Sequence, residues 1–111
     1  MKNAGQFRIV LVTAPNLKVA RQLARLALAG HLAACANLIP GVESHYWWKG
    51  KLEKGREVLV VFKTRSSQVE KLEKIIIDNH LYETPEFVSV PLSGGNARYL
   101  DWLTQSTTSR D

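Results

Sequence analysis

The 111-residue chain is 45% apolar and 23% charged, the composition of an ordinary soluble globular protein, and we expect one domain spanning residues 1–111. Its single cysteine, Cys35, excludes an intramolecular disulfide and points to the cytoplasm. The longest uncharged stretch, Leu26 to Val42, is interrupted by Gly30, His31, Asn37 and Pro40 and excludes a membrane span. The net charge of +5, from 15 Lys and Arg against 10 Asp and Glu, admits an anionic partner without specifying one.

Near the amino terminus the apolar run Ile9 to Val12 is too short for a signal-peptide core. "FRIVLVTAP", Phe7 to Pro15, is rich in β-branched residues and reads as a central strand. Asn16 is placed to cap the helix "LKVARQLARLALA". Its Leu17, Ala20, Leu23, Ala24, Ala27 and Leu28 recur at three- and four-residue spacing, and Gly30 stops it. "HLAACANLI", His31 to Ile39, is expected as a strand ended by a Pro40-Gly41 turn. "VESHYWW" alternates as a further strand, "KGKLEKG" supplies a hairpin connection, and "REVLVVFKT" returns as a strand.

Ser67 and Glu70 fit a capping box opening a second helix, with Val69, Leu72, Ile75 and Ile76 as its buried stripe. That pattern ends at Asp78-Asn79-His80, and Pro85 forbids its resumption. "EFVSVPL" is a last strand whose Pro91 suits a sheet edge. Gly94, Gly95 and Asn96 lead into a short helix, "ARYLDWLTQ", followed by a frayed tail, "STTSRD". The order β-α-β-β-α-β-α defines an α+β, ferredoxin-like antiparallel sheet with a long central hairpin and an extra C-terminal helix.

Few residues carry chemistry. His80 either meets the free carbonyls at a helix end or serves as a ligand or proton carrier beside Glu83 and Glu86. No C-x-x-C, H-x-x-x-H or H-E-x-x-H occurs, so a complete intrachain metal site is not expected. Cys35 lies between alanines and reads as core packing, with no sequence neighbour to activate it. As a thiolate it could still hold a soft ion if another ligand came from elsewhere. The hairpin interleaves Tyr46, Trp47 and Trp48 with Lys49, Lys51, Lys54 and Arg56, which suits single-stranded nucleic acid. Two tryptophans on opposite faces of one strand cannot both enter one chain's core, so we read this hairpin as a subunit interface. "SGGN" lacks both phosphate-loop patterns and reads as a turn. A hydrolase with His80 and Glu86 as base and partner is the enzyme alternative; no local catalytic signature accompanies it.

Taken together, "LAACANLI" (32–39), "SHYWWKG" (44–50), "FKT" (62–64), "HLYETPE" (80–86) and "YLDW" (99–102) resemble the CutA family of divalent-cation tolerance proteins in order and spacing. The resemblance runs from Ile9 through Trp102. It implies a ferredoxin-like homotrimer, similar in architecture to PII signalling proteins, that binds rather than catalyses. It further implies copper or another divalent metal ion, or a small ligand, in clefts between subunits, with no nucleic-acid or membrane partner and no organic cofactor. A non-metal scaffold or PII-like protein-interaction trimer is the alternative. Carried over residue by residue, the family motifs place Trp48, Tyr82, Glu83 and Glu86 as binding residues and His80 and Cys35 as metal ligands. Two departures stand out. Leu81 replaces the proline of the common H-P-Y-E, and Val12 and Asn79 stand where some bacterial members carry copper-ligating cysteine and histidine.

Overall fold

The computed structural model describes residues 2–3 and 5–108. In chain order these form β1 (Lys2–Asn3), β2 (Phe7–Ala14), α1 (Leu17–Ala29), β3 (Cys35–Trp48) and β4 (Lys51–Arg65). There follow a short 3₁₀ turn (Ser66–Gln68), α2 (Val69–Asn79), β5 (Val88–Pro91), β6 (Gly94–Gly95) and α3 (Ala97–Ser106). The main sheet is antiparallel, ordered β3-β4-β2-β5, and β1 pairs with β6 in a separate two-stranded ribbon. This is the expected ferredoxin-like α+β arrangement.

Alternation along the central strands fixes the layers. Val10, Val12 and Ala14 of β2 and Val58, Val60 and Phe62 of β4 are buried, and they pack with Ala20, Leu23 and Ala27 of α1 and with Leu72 and Ile76 of α2. Ile9, Leu11 and Thr13, with Leu59 and Val61, alternate with these and so lie on the face turned away from both helices. A second cluster joins Phe7 to Leu100 and Leu103 of α3. Asn16 caps α1 by accepting from the Val19 N–H at 2.9 Å, and Asn96 does the same for α3 through Tyr99 at 3.2 Å.

Several expectations are corrected. The segment after α1 turns before it extends: His31 takes the left-handed conformation (φ 56°) and the Leu32 N–H returns to Ala27 O at 3.0 Å. Strand pairing therefore begins near Cys35, not at His31. Pro40-Gly41 is not a turn but a bulge within one continuous strand, where the β3–β4 register shifts between Ile39 and Val42 and Gly41 supplies φ 74°. Pro40 is tolerated because β3 is an edge strand. The hairpin connection shrinks to Lys49-Gly50, both with positive φ, so Lys51 to Gly55 belong to β4.

The capping box is not formed. A 3₁₀ turn precedes α2, no side chain caps either segment, and Gln68 instead donates to Thr107 O at 3.2 Å. The tail is tied down through Thr108. Thr107 is buried, and Arg65 donates to its hydroxyl at 2.8 Å and its carbonyl at 3.1 Å. Residues 109–111 lie outside the described chain. Pro91 does sit on the edge strand β5.

Candidate functional site

The longest strands run past the body of the sheet as the β3–β4 hairpin, and the segment 80–87 crosses from α2 towards β5 without regular structure. Between them lies an open groove of about 810 Å³, floored by Thr13 and Glu57 and walled by residues 44–48 on one side and 81–86 on the other. Thr13 is the penultimate residue of β2 and Glu57 pairs across the ladder with Val42; each alternates with the buried Val12, Ala14 and Val58, so both belong to the sheet face away from the helices.

His80 builds the second wall. It follows the last residue of α2 in extended conformation, and its Nε2 lies 2.7 Å from the Thr13 carbonyl while its Nδ1 receives the Tyr82 N–H at 3.0 Å. A carbonyl can only accept and an amide N–H can only donate, so Nε2 carries the proton and Nδ1 the lone pair. The imidazole meets the carbonyl of a neighbouring strand, not those of its own helix. Asn79 takes that task by donating to Ile75 O at 2.8 Å. With the loop turned in this way, the rings of His80 and Tyr82 lie 4.6 Å apart, and the Tyr82 hydroxyl donates to Glu57 at 2.8 Å.

These contacts set the electrostatics. Burial, then the hydrogen bond to Glu57 and that carboxylate's charge, hold the Tyr82 phenol well above its ordinary range, so it stays a donor. Partial shielding of the Glu86 carboxyl, with the charge of Glu57 nearby, raises its pKa. Glu83 also lines the groove, and among the described residues no Lys or Arg does. His45 stands at the rim with its Nε2 2.8 Å from Glu43.

The groove gathers Trp48, Tyr82, Glu83 and Glu86. His80 does not line it but stands behind it, with both ring nitrogens engaged. Cys35 is at the opposite end of β3. It is half-buried, its thiol 3.7 Å from Asn37 Oδ1, and Lys63 sits directly across the ladder. It is not the core packing that the sequence suggested, and the fold sets opposite it a lysine that its sequence neighbours do not supply. Among the described residues, no group of three or more His, Cys, Asp or Glu is disposed to hold a metal ion. Sequence reasoning missed Glu57 and Thr13. In sequence Glu57 reads as the solvated start of "REVLVVFKT"; in the structure it lies within β4, and only the fold brings it to Tyr82.

A split β-α-β sheet with a projecting hairpin and a groove at its base defines a ferredoxin-like α+β protein with a small-ligand-sized cleft. The sequence profile of the CutA1 divalent ion tolerance protein family matches residues 8–106, and the chain belongs to that family. It is 45% identical over 105 residues to mouse protein CutA, covering 95% of this chain and 59% of the relative. To the divalent-cation tolerance protein CutA of Thermus thermophilus it is 39% identical over 99 residues, covering 89% and 96%. It matches 89% of its own length to 56% of chloroplastic CutA 1 from rice, so it spans little more than half the length of several curated relatives. The crystal structure of rice CutA1 superposes with a TM-score of 0.91 at 40% identity, covering 96% of this chain and 98% of that one.

Proposed function

We propose that this protein assembles as a cytoplasmic homotrimer and serves metal-ion tolerance by binding, not catalysis. Copper or another divalent metal ion, or a small ligand, is held in grooves completed by neighbouring copies. The observation that carries this reading is the groove itself, with Trp48, Tyr82, Glu83 and Glu86 around one cavity beside an exposed hairpin. His80 and Cys35 lie at separate ends of the sheet, so an ion held by both requires them from different copies. Family membership and relatives called divalent-cation tolerance proteins support the role; some relatives are described as chloroplastic or periplasmic. Among the described residues no helix is long and apolar enough to cross a membrane.

Calorimetric titration of Cu(II), and of Cu(I) under reducing conditions, tests the metal reading. Saturable uptake weakened by His80→Ala or Cys35→Ser is expected, whereas no uptake, or uptake unchanged in both variants, removes it. The second reading, a non-metal scaffold or PII-like protein-interaction trimer, is favoured by one observation: both nitrogens of His80 are already engaged. Recovery of the same partner with and without chelator would select it.

A further inference from the structure

We propose that the groove takes an organic ammonium cation, with Glu57 and Glu86 supplying the counter-charge and the rings of Tyr46, Trp48 and Tyr82 the contact surface. This names a ligand class for the site proposed above and rests on that reading of the groove. Its lining brings three carboxylates, Glu57, Glu83 and Glu86, together with aromatic rings and, among the described residues, no Lys or Arg, in a chain whose net charge is +5. That local reversal of charge disfavours a phosphate or carboxylate ligand. A neutral apolar ligand would cover the carboxylates without satisfying them, which is costly. A bare metal ion fits one chain's groove poorly, because the carboxylates surround about 810 Å³ without forming a described three-ligand group. The volume falls in the range of small-molecule sites.

A quaternary ammonium ion spreads its charge over a larger, weakly hydrated surface and is attracted to the negative faces of aromatic rings. One of these rings already has a cation over one face, since the Lys49 ammonium lies 5.6 Å from the centroid of Trp48. Tyr82 is held in place for the same task. Its hydroxyl is committed to Glu57 at 2.8 Å and its backbone to His80 at 3.0 Å, so its ring is fixed before any ligand arrives. Thr13 and Ser44 add polar residues to the lining.

The probe is choline chloride, titrated calorimetrically into the assembled protein at constant ionic strength. Its uncharged carbon isostere, 3,3-dimethylbutan-1-ol, is titrated in parallel. Saturable choline binding is expected, with the isostere about tenfold weaker or worse and with Glu86→Gln and Trp48→Leu each weakening choline about tenfold. Equal affinity for the two probes overturns the proposal using the unaltered protein alone, whatever the variants do. Failure to bind choline in a sample that sediments as a trimer and takes up Cu(II) also overturns it, leaving the metal reading intact. A monomer that binds neither choline nor Cu(II) overturns both.

Discussion

His80 forms part of the protein's architecture before it is anything else. It ties the end of α2 to the last residues of β2 and holds the Tyr82 amide, so the groove's wall hangs on one imidazole. Replacing it with alanine leaves a part-buried carbonyl and N–H without their partner. We expect a loss of about 1–3 kcal/mol, measured by urea unfolding. Glu86 is expected to act in the opposite sense. Its raised pKa means the folded protein holds this proton more tightly than the unfolded chain does. Unfolding free energy therefore falls as pH rises from the ordinary carboxylate range through the raised value, and the cost persists above it. Glu86→Gln should accordingly raise the melting temperature at pH 7, with the gain vanishing below about pH 3, where both states are protonated. An unchanged difference across that range would contradict the assignment.

At the scale of elements, most of the fold was legible because local chemistry and global structure agree. Asn16 capped the helix it was read to cap, Ala20, Leu23, Ala24 and Ala27 of the α1 stripe were buried as read (Val19 joins them, whereas Leu28 is exposed), and Pro91 lay on an edge strand. The misreadings fell where one residue pair serves two geometries. Pro-Gly signals a turn, yet on an unpaired strand edge Pro40 loses no hydrogen bond and Gly41 bends the strand without ending it. Gly41→Ala isolates that point. A Cβ there would meet nothing within 4 Å, so the expected loss of about 1–2 kcal/mol comes from the left-handed backbone alone. Thermal or denaturant unfolding measures it, and a neutral result would remove the bulge's role. The capping box failed for another reason: Gln68 and Arg65 were drawn to Thr107, a contact between residues about forty positions apart that no local pattern encodes. Four groove residues were reached by resemblance to family motifs. Glu57 was not, because its meaning depends on a tyrosine from another element.

Across the whole molecule, the distribution of apolar surface does not suit a lone chain. Trp47 is 73% exposed and Leu52 65%, and Tyr46 and Trp48 are exposed beside them on a hairpin whose outer strand has a free edge. Large aromatics clustered in this way belong to interfaces. A closed ring of three copies also uses two different faces of each chain, so no patch need match itself. Leu52→Lys should therefore dissociate the proposed trimer and, on this account, abolish binding in the groove while circular dichroism stays unchanged. Sedimentation of the unaltered protein at micromolar concentration is the most direct measurement. The expected particle has about three times the 12.5 kDa mass of one chain; a folded species sedimenting at the mass of a single chain contradicts the account.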